Sequence, residues 1–131
     1  MMTFLRIVAG IGALLQLGFA YQETFGWGPK FVKRVAEPWI DPAESEAATE
    51  GHIAWARRLA FNIGVYNLAL AIGLAWTFYA AGRDPAAART LGLFLAVWLL
   101  VAAAAAAYTK VYAAAALQGA LGVFLLIAIW Q

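Results

Sequence analysis

Apolar residues run along this chain in three blocks, separated by one long mixed segment and one short turn. The blocks cover about 3–22, 59–81 and 90–130. A helix that crosses the ~30 Å hydrocarbon core of a bilayer needs roughly 20 residues. The third block is too long for one crossing and must fold into a hairpin. Its only polar interruption is Tyr108-Thr109-Lys110, which predicts the turn. The pattern therefore predicts an all-α membrane protein. Four transmembrane helices over about 3–25, 57–81, 89–107 and 111–130 form an up-down bundle, a single transmembrane domain spanning residues 1–131.

The long segment, about 26–56, reads as a partly helical, amphipathic loop between helices one and two. Gly26, Gly28 and Pro29 end the first helix. Lys30, Phe31, Lys33, Arg34 and Val35 mix basic and apolar positions, as an interfacial turn does, and Pro38 and Pro42 interrupt the stretch after it. Asp41-Pro42-Ala43-Glu44 has the form of a helix start: a capping Asp, Pro at the first helical position and Glu behind it. The only breaker beyond it is Gly51, so a surface helix from Pro42 has the choice of running on into the second span. Gly82-Arg83-Asp84-Pro85 reads as the turn joining spans two and three. The first span also has the outline of a secretory signal: Arg6, an apolar core from Ile7 to Leu15, and Gly18-Phe19-Ala20. We read it as a retained span.

Composition agrees with the membrane reading. The chain is 65% hydrophobic and 12% charged, with mean hydropathy +0.77, against about 25% charged residues in a soluble domain. The absence of cysteine removes disulfides and thiolate metal sites, and a lone histidine, His52, removes a multi-histidine metal or haem site within one chain. No metal or cofactor is expected. His52 reads as an interfacial histidine. The nine basic residues sit at segment ends, as topology signals do, so no nucleic-acid partner is expected. Lys30, Lys33, Arg34, Arg57, Arg58 and Lys110 fall on one side, against Arg6, Arg83 and Arg89 on the other. That bias favours termini outside and the long loop in the cytoplasm. Trp27, Trp39, Trp55, Trp76 and Trp130, with Tyr21 and Tyr79, cluster near helix ends as interfacial anchors. The alanine-rich stretches in helices three and four, with Gly119 and Gly122, allow close helix packing.

The chemistry concentrates on a few polar positions. Of seven carboxylates, only Glu23 lies inside a span. A charged side chain deep in a membrane helix costs about 2.5–3.5 kcal/mol on insertion scales, so it needs a partner or a purpose. Alternating topology brings the end of span one, the start of span two and the start of span four to one side. Glu23, Asn62, Tyr66, Asn67 and Gln118 then fall in one leaflet, and Gln16 shares Glu23's helix face, seven residues earlier. Three readings stand open. The amides and the tyrosine fix the bundle, with Arg57 or Arg58 neutralising Glu23; or the set lines a ligand pocket; or it forms part of an ion or proton path, for which a single carboxylate is poorly equipped.

These residues carry a resemblance. Glu23-Thr24-Phe25-Gly26-Trp27 resembles the Glu-x-Phe-x-Trp motif closing the first helix of a family of small bacterial membrane proteins, domain of unknown function 1304. Asn62-Ile63-Gly64-Val65-Tyr66-Asn67 resembles that family's Asn-Gln-Gly-x-Tyr-Asn segment, and Leu70-Ala71-Ile72-Gly73-Leu74 its continuation. Gln118-Gly119 resembles its Gln-Gly pair in the last helix. Four departures stand out. Ile63 replaces the usual Gln, Gln16 an often-found His, and Ala120 a common proline, and the first loop is longer, with an acidic stretch from Asp41 to Glu50. The resemblance implies a four-helix bacterial inner-membrane protein and brings no activity with it. It adds weight to Glu23, Asn62, Tyr66, Asn67 and Gln118 as site residues.

The sequence thus yields one working expectation and two alternatives. The expectation is a small polytopic membrane protein whose polar pocket binds a small apolar ligand or lipid through Glu23, Asn62, Tyr66, Asn67, Gln118 and Gln16. The first alternative is a non-catalytic accessory subunit of a larger membrane complex, docked through its alanine- and glycine-rich faces. The second is a membrane-embedded isomerase or hydrolase using Glu23 as acid or base. Expected partners are membrane lipids, and a homo-oligomer or a larger membrane complex.

Overall fold

The computed structural model describes residues 2–26, 46–109 and 111–131, with the side chains of 46–53 and 56 outside that description. Those residues form four helices: α1 (Met2–Phe25), α2 (Glu46–Ala80), α3 (Pro85–Tyr108) and α4 (Tyr112–Trp130). No strand occurs among them. Each helix contains a stretch long and apolar enough to cross a membrane: Met2–Phe25, Arg57–Ala80, Pro85–Tyr108 and Tyr112–Trp130. The expected helix start at Asp41-Pro42, the basic turn at 30–35, Trp27, Trp39 and Lys110 lie outside the described residues. So does the side chain of His52, whose backbone belongs to α2.

Two helix starts differ from the sequence expectation. Helix α2 is already formed at Glu46, ahead of the span predicted from 57, and residues 46–56 run on into the second span as one unbroken helix, a course the sequence leaves open. Gly51 does not stop it, because a mid-helix glycine costs only about 1 kcal/mol. Helix α3 begins at Pro85, not at residue 89. Asp84 caps it, its carboxylate accepting the Ala87 N–H at 3.0 Å, and Pro85 occupies the first turn, where the missing N–H costs nothing. At the far end of α3, the Thr109 hydroxyl donates to the Ala105 carbonyl at 3.0 Å, and the chain turns into α4.

By contact density the chain divides into two compact units, Met1–Leu15 with Leu70–Gln131, and Gln16–Ala69. The first unit is itself an antiparallel four-helix bundle. Its neighbours follow from where a methyl group on each glycine would land. One on Gly10 would lie 3.3 Å from Phe78, and one on Gly12 2.9 Å from Leu121 and 3.2 Å from Leu74. One on Gly73 would lie 3.0 Å from Leu95, and one on Gly122 2.9 Å from Leu100. These contacts link α1 to α2, α2 to α3, α3 to α4 and α4 back to α1. Small residues permit this approach where no hydrophobic force drives helices together inside a membrane. The core comprises Leu5, Leu74, Leu95, Leu99, Leu121 and Leu125, wedged between Ala9, Ala88, Ala96 and Ala128. Ala88, Gly92, Leu95, Ala96 and Leu99 on α3, and Leu121, Leu125 and Ala128 on α4, recur at three- and four-residue spacing, as a bundle seam requires.

The outward faces are as apolar as the seams. Leu14 is 72% exposed and Ile72 64%, and Phe94, Trp98, Val123 and Phe124 are exposed as well. Helices apolar all round belong in hydrocarbon. The chain is a small polytopic membrane protein, its outer surface suited to lipid.

Candidate functional site

The second unit, Gln16–Ala69, holds Glu23, the carboxylate that falls within the candidate membrane-spanning stretches among the described residues. Two stripes build its helix contact. On α1, Gln16 and Ala20 are buried and Glu23 and Thr24 half-buried; on α2, Ala60, Gly64 and Asn67 are buried. Both stripes step by four and then three residues, the spacing that keeps a helix face turned toward a neighbour.

The closest approach is at Gly64. A methyl group there would overlap the Thr24 hydroxyl and lie 3.1 Å from the Ala20 carbonyl oxygen and 3.2 Å from the Thr24 nitrogen. Backbone therefore packs on backbone. One turn along α2, Asn67 is turned toward the same partner, and its Nδ2 donates to Glu23 Oε2 at 2.6 Å. The contact is short for an N–H···O hydrogen bond. The sequence offered Arg57 or Arg58 as the neutralising group, and the structure pairs Glu23 with a buried amide.

Gln16 lies seven residues before Glu23 on α1 and is completely buried, and neither its Oε1 nor its Nε2 has a hydrogen-bond partner. Leaving such groups unmade costs about 1–3 kcal/mol. Replacing Gln16 by Met, which keeps the length and removes both polar atoms, is expected to stabilise the chain by ~1–2 kcal/mol. Thermal unfolding in detergent checks this; a less stable Gln16→Met protein would mean that the amide is satisfied.

Of the six expected site residues, the structure joins Glu23 and Asn67 directly. Gln16 is on the same helix as Glu23, within the same unit. Asn62 and Tyr66 are exposed, Tyr66 by 69%, on the side of α2 turned away from the Ala60–Gly64–Asn67 stripe. Gln118 is buried on α4, in the four-helix unit. A buried polar residue that the sequence reading passed over, Thr77, satisfies itself by donating to the Gly73 carbonyl at 3.0 Å. Gly64 and Thr24 were also passed over. The readable signal was the small-residue step Ala60-x3-Gly64-x2-Asn67, which marks the face of α2 that packs. Among the described residues no cluster of His, Cys, Asp and Glu is suited to a metal ion.

A four-span membrane protein with a carboxylate–amide pair between its first two helices is the class that fold and site define. Residues 10–130 match the family described as "Protein of unknown function (DUF1304)", and the chain belongs to that family. No curated protein and no solved structure matches the chain.

Proposed function

We propose that this protein is a membrane-embedded binder of a small, largely apolar molecule or lipid carrying one polar group, and that the Glu23–Asn67 pair receives that group. The observation that carries the reading is the pairing itself. An intramembrane carboxylate with only structural work is best matched by a cation or replaced by an apolar residue. Here a neutral amide engages Oε2 and Glu23 is only half-buried, so the carboxyl group keeps capacity for a further donor. A hydroxyl, amine or amide N–H on the ligand would supply it. Nothing in the reading requires catalysis; the carboxyl group orients and holds.

The expected setting is the bacterial inner membrane, in keeping with the distribution of Lys and Arg at the helix ends and with the motifs around Glu23 and Asn62. The chain would act there as one transmembrane domain. A second reading rests on Asn62 and Tyr66. An amide and a phenol facing outward from a spanning helix favour a partner helix, as in an accessory subunit or a homo-oligomer.

The test is chemical. Solvent extracts of the purified full chain and of Glu23→Gln, compared by mass spectrometry against the surrounding membrane, are expected to differ in one molecule enriched by the wild type. Identical extracts would remove the ligand reading and leave the subunit reading.

A further inference from the structure

We propose that Arg6 and Arg83 form a site for a phosphate-ester anion: a cationic cleft in the four-helix unit, built from none of the residues of the Glu23–Asn67 pair. An open cleft of about 330 Å³ is lined by Arg6, Phe78, Tyr79, Gly82 and Arg83. Both guanidiniums that line it are held on aromatic rings. Arg6 Cζ sits 4.8 Å from the centre of the Phe78 ring, and Arg83 Cζ sits 3.9 Å from that of Tyr79. Stacking restrains two side chains that otherwise carry large rotamer entropy, and it leaves their planar N–H forks free to point outward. Asp84, the neighbouring carboxylate, is engaged as the cap of α3.

Two like charges lining one cleft repel each other, and an anion between them removes that cost. A guanidinium fork fits the oxygens of a phosphate bidentately, and phosphate esters are the abundant anions at a membrane surface. The position agrees. Arg6 lies in the second turn of α1 and Arg83 in the turn that follows α2, so both stand near the ends of membrane-spanning helices, where headgroups are met. The Trp76–Tyr79 ring pair, 5.6 Å apart, lies near the same end of α2, where amphipathic rings suit a membrane interface. Gly82 keeps the cleft clear: a methyl group on it would lie 3.7 Å from Arg6 Nη1, and a longer side chain would fill the space. The same chemistry is offered by an anionic lipid headgroup and by a free phosphate ester.

The experiment uses the delipidated full chain in neutral detergent, titrated with phosphatidylglycerol and separately with phosphatidylcholine, and read by native mass spectrometry. One phosphatidylglycerol is expected to bind the wild type in preference to phosphatidylcholine. Its affinity is expected to fall about tenfold or more in the Arg6→Gln, Arg83→Gln double variant. Gly82→Leu, which keeps both charges and fills the cleft, should lose it as well, whereas Arg58→Gln should bind as the wild type does. Inorganic phosphate added as competitor separates the sources: displacement identifies a free phosphate as the ligand, and failure to displace identifies the lipid. Equal binding by the double variant and the wild type, or equal binding of the two lipids, would overturn the site and leave two arginines that merely reach for the interface.

Discussion

Gly64→Leu is expected to cost a large share of the fold, ~3 kcal/mol or more, and to leave little protein that survives mild detergent. The reason is the nature of the neighbours. Of the atoms a Gly64 side chain would meet, the Thr24 hydroxyl can rotate away, but the Ala20 carbonyl and the Thr24 nitrogen are backbone and cannot. Overpacking that displaces side chains alone costs typically ~1–3 kcal/mol; here α1 and α2 must part. Parting them also breaks the Asn67–Glu23 bond one turn away. Gly18, where an added methyl group meets nothing within 4 Å, is the matched control on α1: Gly18→Leu should be tolerated. Thermal unfolding and size-exclusion profiles of the two variants check the difference. Equal tolerance of both would show that the helices do not cross at Gly64.

Asn67→Leu is expected to destabilise the chain by ~1–2 kcal/mol, because it strands a carboxyl group in an apolar setting. The informative result is the double variant. Replacing both members, Glu23→Leu with Asn67→Leu, should recover most of that loss, since exchanging two buried polar partners for apolar groups is close to neutral. Glu23→Gln should cost little, because its amide oxygen can still accept from Asn67. A double-mutant cycle of unfolding free energies measures the coupling directly. Additive losses would mean that the 2.6 Å contact contributes nothing to stability.

The number and placement of the helices were legible because hydrocarbon imposes one demand everywhere, a run of about 20 apolar residues per span. The end of the third helix was legible for the same reason: Tyr108-Thr109-Lys110 is the longest polar break in its block, and α3 does end at Tyr108. Helix starts were less legible, because they depend on local chemistry that hydropathy does not register. Asp84 and Pro85 together set the first turn of α3, yet they look like loop residues until the cap is seen. Glu23 was legible as the anomalous residue. Its partner was not, since charge alone points to Arg57 or Arg58, whereas helix geometry points to Asn67, three residues from the glycine where the backbones meet. Asn62 and Asn67 look equivalent as sequence; five residues on a helix turn them to different faces, one exposed and one buried. The paired arginines were read only as topology signals, because nothing in the spacing of Arg6 and Arg83 shows that they line one cleft.

The functional reading turns on whether the Glu23 carboxyl group serves a ligand as well as the helix pairing. The decisive measurement is native mass spectrometry of the full chain released from mild detergent, wild type beside Glu23→Gln, with the thermal stability of each. One small molecule should be retained by the wild type and lost from Glu23→Gln, with unfolding temperatures nearly the same. Equal retention by the two proteins, or a wild type that carries no small molecule, would contradict the reading.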